Sequence, residues 1–168
     1  GETWAQSAHG MSYDMGPKEE RFNPDAQDPH MMVQCAGDPD KLWVQHHCGI
    51  FKSVNSGVKW TEVKAKPSSF GFGVVVHPKD ANTAWFVPGI KDEKRVPVDG
   101  ALVVTRTRDG GKTFKTTGPD PYKHGDCKDP TQPRGSGFGR GVVDPQDGAI
   151  YLPIHFCGAT RVVVSHDE

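Results

Sequence analysis

The sequence has no long apolar run, no segment with a helical period and no surplus of positive charge. None of its apolar stretches approaches the roughly 20 residues that a membrane helix requires, and its first residues lack the basic region and apolar core of a signal peptide. Lys and Arg number 20 against 21 Asp and Glu, for a net charge of −1. We therefore expect neither a membrane nor a nucleic-acid partner, while a cytoplasmic or secreted location stays open.

Glycine and proline, by contrast, are abundant. The 168 residues include 20 Gly and 14 Pro, and 35% are hydrophobic. These two residue types separate short strands with tight turns, so the composition predicts an all-β protein. Three segments that place Pro beside charged residues, 38–40, 77–80 and 144–147, each follow an apolar run and precede another. We predict a turn between neighbouring strands at each of them.

One eight-residue pattern, S/T-x-D-x-G-x-T-W, recurs along the chain. Residues 107–114 match it with Phe in place of Trp, and residues 53–60 match it with Asn for Asp and Lys for Thr. A third copy forms when the end of the chain, residues 165–168, is read on into its start, residues 1–4. The hydroxyl would end one strand, the Asp or Asn would accept hydrogen bonds from nearby amides, and the Gly would supply a positive φ.

This pattern resembles the Asp box of the BNR-repeat β-propellers, a family that contains the sialidases and many sialidase-like proteins. Its Asp or Asn residues, Asn55, Asp109 and Asp167, lie 54 and 58 residues apart in the chain, a spacing near that of one propeller blade. The resemblance implies a β-propeller of four-stranded antiparallel blades with one such turn in each blade. The turn itself is structural, so it carries no activity over to this chain.

The repeats divide residues 1–168 into a single half-propeller of three blades. Blade one is predicted over 30–63, blade two over 73–117, and blade three over 139–168 without its last strand, while 1–6 would supply the last strand of a neighbouring blade. Three blades do not close a ring, and an open arc exposes strand edges. We therefore predict a homodimer that closes a six-bladed ring. The alternative is a segment of a longer propeller.

Histidines are concentrated on the rim opposite the Asp-box turns. The element His-x-Cys-Gly ends the second strand in blades one and three, at residues 46–49 and 155–158. Converging imidazoles are typical ligands of zinc and other transition metals, so we predict a divalent metal, zinc in particular, with the ligands His30, His46, His47 and His155. Such a metal would serve a hydrolase of esters, lactones or phosphotriesters. The alternative is that these histidines cap strands or bind loops.

A charged insertion at 88–100 in blade two overhangs the same rim in this interpretation. Glu93 and Arg95 are its candidate catalytic residues, because an acid and a guanidinium can transfer protons and hold an anionic small-molecule substrate. A solvated loop is the alternative. Two other functions stay open: a non-catalytic propeller that binds a glycan or a protein, and a sialidase-like glycosidase. Sialidase chemistry uses a tyrosine nucleophile and an arginine triad, and the chain has three Tyr and no RIP motif.

Overall fold

A computed structural model describes residues 2–100, 103–117, 142–156 and 159–166. Throughout these ranges the chain forms β-strands, joined by turns and three short 3-10 helices. The same residues include no helix that is long and apolar enough to cross a membrane. The strands form successive antiparallel sheets, and the predicted all-β class is confirmed.

The first sheet has four strands in sequence order. They are β1 (Pro29–Cys35), β2 (Asp38–His46), β3 (Gly49–Ser53) and β4 (Thr61–Val63). The segment 38–40, predicted as a turn, instead begins β2. The turn lies at Ala36 and Gly37, because Cys35 pairs directly with Asp38 across a two-residue connection. At the other end of β2, His46 pairs with both Pro29 and Gly49.

The second sheet has the strand order β5-β6-β8-β9, and β7 pairs with the far end of β6. Its strands are β5 (Gly71–Val76), β6 (Ala84–Lys91), β7 (Lys94–Pro97), β8 (Val104–Thr107) and β9 (Lys115–Thr117). The insertion at 88–100, predicted as a loop, is thus largely a β-hairpin that extends β6. Gly89 pairs with Pro97 and Lys91 with Lys94 in this hairpin.

The third sheet comprises β10 (Val142–Val143), β11 (Ile150–Phe156) and β12 (Ala159–Ser165). The three sheets lie in the chain regions predicted for the three blades. Residues 2–8, which include most of the predicted strand 1–6, have no regular secondary structure in this single chain. A role of that segment in a neighbouring blade stays a prediction, and the 139–141 part of blade three lies outside the described residues.

The main core lies between the first and second sheets. Its buried residues are Trp43, Ile50, Val63, Ala65, Val74, Ala84 and Phe86. Burial of one large apolar side chain stabilises a fold by about 1.5–3 kcal/mol, so this interface holds the two sheets in one orientation. The other face of the first sheet is covered by the N-terminal segment, where Met11 packs against Leu42, Val44, Phe51 and Trp60.

The two internal copies of the repeated pattern form turns with the same hydrogen bonds. In the first turn, the Ser53 hydroxyl accepts from Gly57 N at 3.0 Å, and Asn55 Oδ1 accepts from Lys59 N at 3.0 Å. In the second, the Thr107 hydroxyl accepts from Gly111 N at 2.8 Å. The positive φ of the glycine, 83° at Gly57 and 88° at Gly111, closes each turn.

Candidate metal centre

The candidate site lies where β1 begins and β2 ends, on the edge of the first sheet opposite the two repeated turns. The antiparallel pairing of Pro29 with His46 brings the start of β1 next to the β2–β3 turn. Asp28 directly precedes β1, His30 is its second residue, and His47 lies in the turn. Backbone hydrogen bonding fixes this junction, because His47 N donates to Asp28 O at 2.9 Å.

Asp28, His30 and His47 each offer one potential ligand atom, and these three atoms all lie within 4.8 Å of one another. His47 Nδ1 is 3.2 Å from His30 Nε2 and 3.2 Å from Asp28 Oδ2. Ligand atoms on a tetrahedral zinc with bonds near 2.0–2.1 Å are separated by about 3.3–3.4 Å. The two measured separations are therefore those of a set that a small cation can bridge.

The orientation of His30 makes Nε2 the ring nitrogen that carries the lone pair and faces His47. Its Nδ1 lies 2.8 Å from the carbonyl oxygen of Gly71, which can only accept, so Nδ1 carries the proton and Nε2 has a lone pair. A hydrogen bond from the second ring nitrogen to a backbone carbonyl is the usual support of a metal-binding histidine. Only glycine fits at position 71, because a Cβ there would stand 2.5 Å from Val87 O. The absence of a side chain therefore lets this backbone present its carbonyl to His30.

Aromatic rings enclose the two histidines. Phe72 stacks on His30 with ring centroids 4.6 Å apart and an interplanar angle of 14°. The Phe70 ring makes T-shaped contacts with His30 and His47, with ring centroids 6.2 Å and 6.0 Å apart. The Tyr13 ring centroid lies 5.9 Å from that of His47. The imidazoles thus lie in a largely apolar wall, whereas the Asp28 carboxylate is 52% exposed and leaves one side open to solvent.

His46, a predicted ligand, turns away from this group. It is completely buried, and its ring nitrogens face backbone amides: Nε2 is 2.9 Å from Asp28 N and Nδ1 is 3.1 Å from Cys48 N. The pKa of His46 is lowered to about 4, chiefly by burial and also by the neighbouring His30 and His47, while Asp28 opposes the shift. His46 therefore stays neutral at pH 7 and holds the backbone of Asp28 in place.

The β6–β7 hairpin brings further charged groups to the site. Asp92 Oδ2 lies 3.6 Å from His47 Nε2. The Arg95 side chain donates from Nε to Asp92 Oδ1 at 2.8 Å, and its guanidinium lies 5.5 Å from the Phe72 ring centroid. Glu93, in contrast, is exposed at the tip, 3.3 Å from Lys91 Nζ, and hydrogen bonds from its own backbone amide and from Lys91 lower its pKa.

The structure therefore brings together two of the four predicted ligands, His30 and His47, and keeps His46 apart from them. The backbone of His155 lies in β11, paired with Thr160, but the placement of its side chain lies outside the described residues. Sequence analysis missed Asp28 and Asp92. The sequence contains only a weak indication that Asp28 is a ligand, namely its position two residues before His30. Nothing in the sequence distinguished Asp92 from the other charged residues of the insertion.

Comparisons with known proteins identify a fold but no family. No family model matches the chain, and no curated protein matches it. The solved structure of an ancestral GH74 enzyme is similar, with 17% identity and a TM-score of 0.52 over 74% of this chain and 16% of that chain. YCF48 from Cyanidioschyzon merolae has 14% identity and a TM-score of 0.36 over 78% and 38%.

This chain thus spans less than two fifths of either of those proteins. At such low identity the likeness concerns the fold alone. The similarity to the GH74 enzyme supports a propeller-like fold for this chain, in agreement with its successive antiparallel sheets. The predicted fold class is therefore confirmed, and the repeated sheets are blades of a propeller.

Proposed function

We propose that this chain binds a divalent cation, zinc in particular, through Asp28, His30 and His47. The convergence of three ligand atoms of the preferred types, one of them freed by the His30 hydrogen bond to Gly71, is the observation that supports this proposal. The set keeps His30 and His47 of the ligands predicted from sequence and adds Asp28, while His46 is left out and His155 stays a prediction. Both ring nitrogens of His46 already face backbone amides.

We further propose that the centre belongs to a hydrolase of esters, lactones or phosphotriesters. A zinc ion with three protein ligands supplies an open position, polarises a substrate oxygen and lowers the pKa of a water to about 7. The residues of this chain add the surroundings. Phe70, Phe72 and Tyr13 form an apolar wall that excludes water from one side, and Asp28 keeps the opposite side polar and accessible.

The small-molecule substrate would approach from the side of the exposed Asp28 carboxylate, because the hairpin packs directly against the aromatic wall. Arg95, with a side chain 57% exposed, is the proposed contact for a negatively charged oxygen, because its guanidinium stands beside Phe72 at the rim. Glu93 is the proposed acid or base of the pair, from the hairpin tip. A glutamate carboxylate is ionised at neutral pH, so Glu93 would act as a base.

Zinc titration of the purified, EDTA-treated protein tests the proposal. We expect one zinc per chain, a loss of affinity of at least about 100-fold in His30→Ala and His47→Ala, and no change in His77→Ala. His77 is a matched control because it lies on the other rim, where its Nδ1 accepts from Lys79 N. A chain that binds no zinc would overturn the proposed centre.

Hydrolysis of a p-nitrophenyl ester, a lactone and an aryl phosphotriester then tests the activity. We expect turnover of at least one of these substrates to require zinc and to be lost in His47→Ala. Equal rates in the metal-free and zinc-loaded protein would contradict the hydrolase while leaving the metal centre intact. The two parts of the proposal are therefore tested separately.

A second candidate is the binding or cleavage of a glycan. Two carboxylates, Asp28 and Asp92, stand on opposite nitrogens of His47, and carboxylate pairs beside aromatic rings are the usual equipment of glycosidases. The GH74 enzyme with the similar fold is itself named as a glycoside hydrolase by its class. Release of p-nitrophenol from aryl glycosides that EDTA does not inhibit would favour this candidate over the metal-dependent one.

A further inference from the structure

One buried polar atom in the site has no hydrogen-bond partner. His47 Nε2 is enclosed, its side chain being 10% exposed, and no group among the described residues bonds to it. The nearest charged atom is Asp92 Oδ2, 3.6 Å away. A buried polar atom left unpaired is destabilising, so its presence at a candidate metal centre requires a physical reason.

The tautomer of His47 supplies that reason. Since His30 Nδ1 donates to Gly71, His30 Nε2 is an acceptor, and the facing His47 Nδ1 must carry a proton to make the 3.2 Å contact. The same proton also faces Asp28 Oδ2 at 3.2 Å. In the neutral imidazole, His47 Nε2 is then an unprotonated nitrogen opposite the Asp92 carboxylate. Two acceptors cannot bond to each other, and their separation stays beyond hydrogen-bond length.

We propose that Asp92 is a positioning residue of the metal centre. This inference rests on the proposed cation at Asp28, His30 and His47. When a cation takes the lone pair of His47 Nδ1, the imidazole exchanges protons with solvent: Nδ1 loses its proton and Nε2 gains one. Nε2–H then donates to Asp92 Oδ2, which satisfies the buried atom and completes a carboxylate–histidine–metal arrangement.

The surroundings of Asp92 suit this role. Arg95 donates to Asp92 Oδ1, so the other oxygen remains directed at His47. The hairpin that carries both residues is joined to the aromatic wall, because Gly89 N donates to Phe70 O at 2.8 Å. A Cβ at Gly89 would lie 3.2 Å from Phe70 Cδ1, which shows how closely the hairpin approaches.

This arrangement also gives the insertion a function. Asp28, His30 and His47 all belong to the first sheet, whereas Asp92 and Arg95 come from the extension of the second sheet by β6 and β7. The metal centre would thus use a carboxylate from the neighbouring blade to orient one of its ligands. Metal affinity then depends on the packing between the two blades as well as on the three ligands.

Zinc affinity measured by competition with a chromogenic chelator tests the inference. We expect Asp92→Asn to weaken zinc binding by about 10–100-fold, and Asp92→Glu to recover most of the loss because it restores a carboxylate. Asp99→Asn is the matched control: it makes the same chemical change at an exposed position of the same insertion, and we expect no change in affinity.

The ¹⁵N spectrum of the His47 ring gives a readout that a merely structural role of Asp92 would not produce. In the zinc-bound wild-type chain, a hydrogen bond to Asp92 should shift the His47 Nε2–H proton downfield, whereas an Asp92 that only supports the fold should leave this proton at its ordinary position. In zinc-free Asp92→Asn, the new amide can donate to the Nε2 lone pair, so the Nδ1–H form should be retained and stabilised. The position of the Nε2–H signal in the zinc-bound wild-type chain needs no variant, so it tests the role of Asp92 even if a substitution impairs folding.

The two levels of the proposal fail differently. A wild-type chain that binds no zinc would overturn the proposed centre and the role of Asp92 with it. Equal zinc affinity of the wild-type chain and Asp92→Asn, or a zinc-bound His47 whose Nε2–H proton stays at its ordinary position, would overturn the role of Asp92 alone.

Discussion

Trp43 of the first sheet donates its indole N–H to the carbonyl oxygen of Ala81, 2.9 Å away, in the connection between β5 and β6 of the second sheet. The Trp43 side chain is 1% exposed and lies in the core between the sheets. This bond therefore helps to set the orientation of one blade on the next. The candidate site depends on that orientation, because its residues come from both sheets.

Replacement of Trp43 by Phe should lower the free energy of unfolding by about 1–3 kcal/mol, since the Ala81 carbonyl loses its buried donor and the smaller ring leaves space. Urea unfolding followed by fluorescence and circular dichroism measures the loss. Trp4→Phe is the matched control, because Trp4 is 91% exposed, and it should change stability by less than about 0.5 kcal/mol. Equal effects of the two substitutions would contradict the role of the buried bond.

The glycines of the two repeated turns should differ in their tolerance of Ala. Both have a positive φ, so each substitution should cost about 1–2 kcal/mol of backbone strain. At Gly57 the added Cβ would meet Trp60 Cζ2 at an ordinary 3.4 Å, whereas at Gly111 it would stand 2.6 Å from Val63 Cγ1. Gly111→Ala should therefore lose about 1–3 kcal/mol more than Gly57→Ala in urea unfolding. Equal losses would show that the turn does not press against the first sheet.

The carboxylate of Asp109 should make the free energy of unfolding depend on pH in the acidic range. Hydrogen bonds from the Thr113 side chain and backbone lower its pKa well below the ordinary value of 3.8, with further bonds from Thr107 and Lys112. Because the folded form holds the proton less readily than the unfolded form, the contribution is complete above about pH 4–5 and falls as the pH drops below about 4.

Asp109→Asn tests this expectation, since Asn55 already occupies the corresponding position of the first turn. The wild-type protein should be more stable than the variant at pH 7. The difference in urea midpoint should shrink steadily between pH 4 and pH 2, because an ordinary carboxyl group in the unfolded chain takes up its proton at about pH 4. A difference that is independent of pH would assign the effect to the lost hydrogen bonds alone.

The predicted homodimer remains to be measured. Val142, Val162 and Val164 of the third sheet are exposed, and a second copy could cover this apolar face as the second sheet covers the first. Light scattering should then give a mass about twice the 18.3 kDa of one chain. A mass of one chain at micromolar concentration would contradict the dimer, and Val162→Glu should shift a genuine dimer towards the single chain.

The strands and turns could be predicted well because they depend on neighbours in the chain. The hydroxyl, the Asp or Asn and the Gly of each repeated turn bond within a few residues, so their pattern is visible in the sequence. The prediction of a turn at 38–40 was wrong for a related reason. Both Ala36-Gly37 and the Pro-containing segment can form a turn, and only the pairing of Cys35 with Asp38 places the turn at Ala36-Gly37. The hairpin at 88–100 was missed because its charged residues resemble a solvated loop.

The candidate site could be predicted only in part. The density of histidines on one rim indicated His30 and His47, but nothing in the local sequence distinguishes His47 from its neighbour His46. The difference arises from partners. Backbone amides face both nitrogens of His46, whereas His47 points one nitrogen towards His30 and Asp28 and the other towards Asp92.

By itself, then, the sequence determined the all-β class, the repeated turns and the rim that carries the histidines, because periodic apolar residues and short-range hydrogen bonds specify these features. Only the tertiary structure decided which imidazole nitrogens remain available. The His30 proton is held by Gly71, 41 residues further along the chain, and the carboxylate opposite His47 comes from another sheet. Which atom of a histidine can bind a ligand depends on such distant partners, and no local pattern encodes them.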